Sequence, residues 1–114
     1  MEVQEREIRV YETQDGKRPF EDWIKSLRDK RAKARVFARI DRLSLGNFGD
    51  CRSVGGGVYE LRVHYGPGYR LYFALLGTTV VLLLTGGTKK GQRRDVEKAQ
   101  EYWKEFKKDA QQEL

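Results

Sequence analysis

Four side chains that can act on a phosphodiester occur at alternating positions of one short segment. Residues 58–73 read VYELRVHYGPGYRLYF and carry Arg62, His64, Arg70 and Tyr72. Guanidinium groups stabilise charge that builds on a phosphate, an imidazole can move protons, and a phenol ring can stack on a base or position the phosphate. The segment therefore indicates chemistry on a polyanion.

A β-hairpin around Gly66-Pro67-Gly68 would place these side chains on one face of a sheet, because strand side chains alternate between faces. We expect Tyr65 to pair with Tyr69 at the turn. The cross-strand pairs that follow are Val63–Leu71 and Leu61–Phe73 on an apolar face, and His64–Arg70 and Arg62–Tyr72 on a polar face.

A second group of cations follows the next strand. Residues 86–94 read GGTKKGQRR, which predicts a flexible loop with four cations, Lys89, Lys90, Arg93 and Arg94, and the amide of Gln92. RNA carries its own nucleophile, the 2′-hydroxyl, so its cleavage needs cations and proton transfer. Arg62, Arg70 and Lys89 could supply the cations, and a lysine of lowered pKa or His64 could move protons. The remaining polar residues are candidates for RNA contacts.

Ordinary structural roles remain open for each of these residues. His64 could be a surface histidine, and Arg62 could pair with Glu60 or with an acid on the last helix. Tyr72 could be plain sheet surface, and residues 89–94 a solvated loop.

The charge of the chain is concentrated around these residues. The net charge is +6, and residues 51–94 hold seven Lys or Arg but only one acid, Glu60. A local excess of this kind favours a polyanion partner such as nucleic acid, although it could also serve solubility.

Several other kinds of site are poorly supported. A two-metal nuclease needs converging carboxylates, and only Glu60 and Asp95 lie in or beside the basic region. One histidine and one cysteine, Cys51, give neither a zinc cluster nor an internal disulfide. Ser53 and His64 lack a nucleophile-elbow motif. We therefore expect no metal and no cofactor.

Hydrophobic spacing predicts one α+β domain over residues 1–114, with the element order β-α-α-β-β-β-α. We expect a mostly antiparallel, four-stranded sheet with two N-terminal helices and a C-terminal helix packed on it. The strands are expected at 3–12, 58–65, 69–76 and 79–85, with a glycine-rich connector at 46–57. The last helix should begin near Asp95, and the tail after about Lys108 should fray.

The N-terminus is polar and unlike a signal peptide, and Val80 to Leu84 is too short to span a bilayer. We therefore expect a cytoplasmic protein that does not associate with membranes.

Three motifs together resemble the RelE/ParE superfamily of bacterial toxins, in particular its HigB-like branch of "addiction module killer proteins". They are Pro19-Phe20-x-x-Trp23, then Tyr59-Glu60-Leu61-Arg62-x-His64-Tyr65-Gly66-Pro67-Gly68-Tyr69-Arg70-x-Tyr72-Phe73, and finally Leu82-Leu83-Leu84-x-Gly86-Gly87-x-Lys89-x-x-Gln92-x-x-Asp95. The resemblance extends from Val3 to about Phe106.

The resemblance implies a small microbial-ribonuclease-like sheet fold and metal-independent cleavage of mRNA, usually on the ribosome, which inhibits translation. It also implies neutralisation by a cognate antitoxin, typically a helix-turn-helix protein. The catalytic cations of the family fall on Arg62, Arg70 and Lys89.

One departure leaves alternatives open. Many ribosome-dependent relatives carry a tyrosine near the chain's end, whereas the first tyrosine after Lys89 is Tyr102, which we assign to the core. Either Tyr72 or His64 takes over its role, or cleavage differs. ParE-type relatives keep the fold but poison DNA gyrase, and a third alternative is an inactive homologue that only binds its antitoxin.

Overall fold

The computed structural model describes residues 5–112, which form five strands and three α-helices in the order β-α-α-β-β-β-β-α. The strands are β1 (Glu7–Val10), β2 (Cys51–Gly55), β3 (Val58–Val63), β4 (Tyr69–Leu76) and β5 (Val80–Thr88). The helices are α1 (Pro19–Ser26), α2 (Lys30–Ser44) and α3 (Gln92–Gln112), with a short 3₁₀ helix at Lys89–Gly91 before α3.

The strands form a single sheet in the order β1-β5-β4-β3-β2. One face packs against α1 and α2, around Val36, Leu61 and Phe73. The other face packs against α3, around Leu84, Ala99 and Trp103. Helices thus cover both faces of the sheet, and one end of the sheet remains open for a site.

The sheet has five strands rather than the predicted four, and it contains one parallel pairing, although its other three pairings are antiparallel as expected. β1 pairs with β5 in parallel, which makes the sheet mixed. The connector expected at residues 46–57 contains β2, which pairs with β3. Gly55, Gly56 and Gly57 all have positive φ, so they form the tight turn between β2 and β3. The glycine run therefore forms a hairpin turn, and the glycine-rich composition of this segment does not reveal the strand before it, β2.

The register of the β3–β4 hairpin also differs from the expected one. Val63, not Tyr65, pairs with Tyr69, and Arg62 lies directly opposite Arg70. The turn is longer because Tyr65 N donates to Val63 O and Gly68 N donates to Tyr65 O, both at 3.0 Å. A shift of two residues preserves the face of every side chain, so the two arginines still share one face.

The predictions for the helices agree well with the structure. Asp29 caps α2, since its carboxylate accepts from Arg31 N at 2.9 Å and Ala32 N at 3.2 Å. The predicted stripe of α2 is buried and consists of Ala32, Val36, Ile40 and Leu43. α3 begins at Gln92, three residues before the expected start at Asp95, and is described as far as Gln112. Among residues 5–112, no helix combines the length and apolar character needed to cross a bilayer.

Residues 86–94 do not form the flexible loop that their composition predicts. Gly86, Gly87 and Thr88 end β5, Lys89 begins the 3₁₀ helix, and the segment then enters α3. A Cβ atom on Gly86 would lie 2.2 Å from the ring of Trp23, and one on Gly87 would lie 1.9 Å from the carboxylate of Asp95. The glycines are therefore present because α1 and α3 pack against bare backbone at this point, which fixes the position of the cations that follow.

Candidate functional site

A cleft of about 500 Å³ opens at the end of the sheet, where the β3–β4 turn meets the end of β5. It is lined by the turn residues and by four side chains predicted for the site: Arg62, His64, Arg70 and Lys89. Lys89 reaches the turn because its backbone N–H donates to Gly68 O at 3.0 Å. The structure thus brings the three predicted catalytic cations together with the only histidine of the chain; we call this the cationic cleft.

Glu60, which is fully buried, lies beneath these cations. Its Oε1 faces the Nε atoms of three arginines: Arg52 at 3.2 Å, Arg62 at 3.5 Å and Arg70 at 3.6 Å. Its Oε2 accepts hydrogen bonds from Tyr72 Oη at 3.0 Å and Gln92 Nε2 at 2.9 Å. One carboxylate therefore holds cations from β2, β3 and β4 together with the first residue of α3.

This arrangement offsets a repulsion that the sheet would otherwise impose. Arg62 and Arg70 are direct cross-strand partners, and like charges in such positions repel each other. The Glu60 carboxylate lies within ion-pair distance of both guanidinium groups. It faces both of them through Nε, and the terminal nitrogens of a guanidinium group can bind a phosphate.

The pKa of Glu60 is lowered in the folded protein. Burial alone would raise the pKa, but hydrogen bonds from Gln92 and Tyr72 and the charges of Arg52 and Arg70 outweigh the effect of burial. Burial and the nearby Glu60 carboxylate raise the pKa of Tyr72. At neutral pH the centre therefore holds an ionised Glu60 and a protonated Tyr72, which donates to it.

We expect the lowered pKa of Glu60 to make the protein sensitive to acid. A carboxylate with a depressed folded-state pKa stabilises the fold above its ordinary value of 4.5, and this stabilisation is lost as pH falls through the lowered pKa. Urea unfolding of the wild type should show stability falling with acidification below about pH 4.5, and Glu60→Gln should show a smaller fall.

The contribution of Glu60 to this pH dependence is isolated by comparing the variant with the wild type and with one control variant. Asp95 titrates in the opposite sense, because burial raises its pKa, but it is present in both proteins. Glu97→Gln removes an exposed carboxylate and should follow the wild-type curve. If the free energy of unfolding fell equally with acidification in the wild type and in Glu60→Gln, the prediction would be contradicted.

His64 at the rim of the cleft contacts the carboxylate of Asp50 through Nε2. The contact lowers the pKa of Asp50, with the charge of Arg62 adding to the effect. A carboxylate partner orients an imidazole and fixes which ring nitrogen faces outward. The pair therefore gives the cleft an oriented group that can transfer protons.

The other residues predicted for RNA contacts lie elsewhere. Tyr72 is buried and hydrogen-bonded to Glu60, so it offers no ring face to a base in this arrangement. Gln92 also binds Glu60. Lys90, Arg93 and Arg94 line a separate depression of about 670 Å³ beside the first turn of α3.

Three residues of the site are not predicted from the sequence to belong to it: Glu60, Arg52 and Asp50. In the sequence, Glu60 appears as a partner of Arg62 and as a lone acid in the basic region, but not as the centre of the cluster. Arg52 lies on β2, in a segment whose glycine-rich composition predicts a connector. Asp50 lies immediately before that strand. Its contact with His64 spans 14 residues, which no local pattern reveals.

Comparison with known proteins places the chain in a family. A family model described as "Phage derived protein Gp49-like (DUF891)" matches residues 22–111, which include α2, β2 to β5, all of α3 but its last residue, and the cationic cleft. An uncharacterised protein of Haemophilus influenzae is 46% identical over 80 residues, which cover 70% of this chain and 81% of the relative. The chain therefore belongs to the Gp49-like family of phage-derived proteins.

Proposed function

We propose that this protein is the toxin of a toxin–antitoxin module and acts as an mRNA endoribonuclease. The observation that carries the proposal is the convergence of Arg62, Arg70 and Lys89 with His64 in one cleft. Three cations from different elements surround a space in which a phosphate can sit, and a candidate proton carrier lies at its rim. Membership of a toxin-like family supports the broader part of the proposal.

In the proposed reaction, the 2′-oxygen of the RNA attacks the adjacent phosphorus. His64, oriented by Asp50, takes the proton of the 2′-hydroxyl. Arg62 and Arg70 stabilise the added negative charge of the phosphorane. The bond from phosphorus to the 5′-oxygen then breaks, and the ammonium of Lys89 protonates that oxygen. The products are a 2′,3′-cyclic phosphate and a 5′-hydroxyl end.

The side chains of the site favour a mechanism without a metal ion. The one carboxylate at its centre, Glu60, is surrounded by arginines and fully buried. Two-metal chemistry needs several open carboxylates, whereas the lining of the cleft is cationic. Substrate charge would therefore be neutralised by guanidinium and ammonium groups.

The finer assignments follow from the resemblance to RelE/ParE toxins of the HigB-like branch. We propose that the substrate is mRNA on the ribosome and that cleavage inhibits translation. We further propose that a cognate antitoxin, a helix-turn-helix protein, neutralises the toxin. No tyrosine lies between Lys89 and Tyr102, and Tyr72 is buried and bonded to Glu60. We therefore propose that His64 replaces the phenol of other relatives.

The proposal is tested by induced expression in a bacterial host followed by mapping of mRNA 5′ ends. We expect growth arrest and new in-frame cuts within coding regions, because the proposed substrate is mRNA under translation. Cells that express Arg70→Ala should show neither.

Two other outcomes would overturn the nuclease assignment. Arrest with intact transcripts would indicate a ParE-like toxin that poisons DNA gyrase, and DNA-damage signalling would accompany it. No arrest would indicate an inactive homologue that only binds its antitoxin.

A further inference from the structure

A second basic groove adjoins the cationic cleft. It has a volume of about 250 Å³ and is lined by Arg35, Ala38, Arg39, Arg42, Val63 and His64. Val63 and His64 also line the cationic cleft, so the two depressions share a wall. We call the second depression the arginine groove.

The three arginines of this groove occupy one stripe of α2. Their spacing of four and three residues places them on neighbouring turns, where like charges repel each other. Burial and, to a smaller extent, the charge of Arg42 lower the pKa of Arg39, and the charge of Asp50 opposes them. None of the three makes an ion pair with a carboxylate within the part of the chain that the structure describes. An anion bound in the groove would relieve this repulsion.

Two of the three guanidinium groups are held in place by contacts other than ion pairs. Arg39 donates from Nη1 to Arg62 O at 2.6 Å and from Nη2 to Phe48 O at 3.2 Å. The guanidinium of Arg35 lies over the ring of Tyr65, 4.8 Å from its centre. Tyr65 belongs to the turn that lines the cationic cleft. Arg39 and Arg35 thus connect the groove to Arg62 and Tyr65, which line the cationic cleft.

We propose that the arginine groove is a second phosphate-binding subsite, which holds the RNA backbone next to the nucleotide bound in the cationic cleft. The inference rests on the proposed nuclease function and extends it to the path of the substrate. Because Val63 and His64 line both depressions, the two lie side by side, and a single strand of RNA can pass from one to the other. Guanidinium groups bind phosphate oxygens in forked geometry. His64 lies between the two subsites, where a scissile phosphodiester would be held from both sides.

The test is the binding of single-stranded RNA labelled with fluorescein and methylated at every 2′-oxygen, so that cleavage cannot occur. Two lengths are compared, about 4 and about 12 nucleotides. The variant is Arg35→Gln/Arg42→Gln, which leaves the anchored Arg39 in place. The control is Lys104→Gln/Lys108→Gln, which removes the same charge from exposed positions of α3. Arg62→Ala/Arg70→Ala reports on the cationic cleft, and thermal unfolding confirms that each variant is folded.

We expect Arg35→Gln/Arg42→Gln to weaken binding of the longer RNA roughly tenfold and that of the shorter RNA by much less. The slope of log affinity against log salt should fall by about 1.4 for two lost phosphate contacts. The lysine control should retain the wild-type slope.

Three results would overturn the inference, and they differ in what they say of the proposed function. If Arg35→Gln/Arg42→Gln matches the lysine control while Arg62→Ala/Arg70→Ala loses RNA, the groove is not a subsite but the proposed function stands. If the wild type shows no salt-dependent affinity for RNA, the proposed function fails as well. Oligoglutamate, which mimics an acidic protein, is added as a competitor. If Arg35→Gln/Arg42→Gln binds RNA as the wild type does but no longer binds oligoglutamate, the groove binds an acidic protein partner.

Discussion

Replacing either Arg62 or Arg70 by alanine is expected to reduce RNA cleavage about 100-fold to 1,000-fold and to abolish growth arrest. Each guanidinium is placed to stabilise charge that appears only as the phosphorane forms, so its loss raises the barrier directly. The two effects should not add, because both groups share Glu60 and one phosphate. Rates are measured with purified protein and translating ribosomes.

Arg70→Lys and Arg9→Ala complete this experiment. Arg70→Lys keeps the charge but loses the Nε group that faces Glu60, so it should fall between the wild type and Arg70→Ala. Arg9 pairs with Glu7 on β1, away from the cleft, and Arg9→Ala should cleave as the wild type does. Cleavage at the wild-type rate by folded Arg62→Ala and Arg70→Ala would refute the assignment of the cations.

Replacing Glu60 by alanine is expected to lower the free energy of unfolding by about 3 kcal/mol. The change leaves Arg62 and Arg70 as facing cations without their carboxylate, and it leaves the buried Tyr72 hydroxyl without an acceptor. Arg52 adds less, because its side chain is 52% exposed and its charge is screened by water. The loss corresponds to a drop in Tm on the order of 15 °C, measurable by calorimetry.

Two further variants separate charge from packing at this position. Glu60→Gln retains the volume and one carbonyl oxygen, so we expect a smaller loss of stability than in Glu60→Ala. Glu60→Ala/Arg70→Ala removes a cation along with the carboxylate. Its loss of unfolding free energy should be smaller than the sum of the losses in the two single variants. Equal Tm values for the wild type and Glu60→Ala would show that the cluster contributes nothing to stability.

The helices and the central strands could be predicted from sequence because their signals are local. The i, i+4 stripe of α2 and the cap at Asp29 appear as expected. β4 has the predicted bounds, and the apolar run from Val80 to Leu84 lies in β5, an interior strand of the sheet. Each of these features follows from the period of the apolar residues or from one turn of backbone.

The errors arise where distant segments decide the structure. The β3–β4 register depends on hydrogen bonds within the turn, and pairing at Tyr65 looked equally good because a shift of two residues keeps the same faces. Residues 86–94 have a fixed structure because Trp23 packs against Gly86 and Asp95 packs against Gly87, and both contacts require glycine. β2 is short and polar, and only its pairing with β3 reveals it.

The cations of the candidate site could be predicted from the sequence, but the role of the buried Glu60 carboxylate at its centre could not. Alternation along the hairpin placed Arg62 and Arg70 on one face, and the basic run after the last strand indicated Lys89. The role of Glu60 comes from partners on four elements, β2, β3, β4 and α3, which meet only in the folded sheet. A lone acid in a strongly basic segment is the signal that could have found it.

The parallel pairing of β1 with β5 also determines the order in which the chain can fold. Glu7 pairs with Val80, so this edge of the sheet closes a loop of more than 70 residues. The β3–β4 hairpin, by contrast, joins residues that are close in sequence and can form early. During synthesis, β1 has no partner strand until β5 has left the ribosome. We therefore expect the cationic hairpin to assemble before the edge of the sheet is closed, and closure of that edge to be the slow, non-local step of folding.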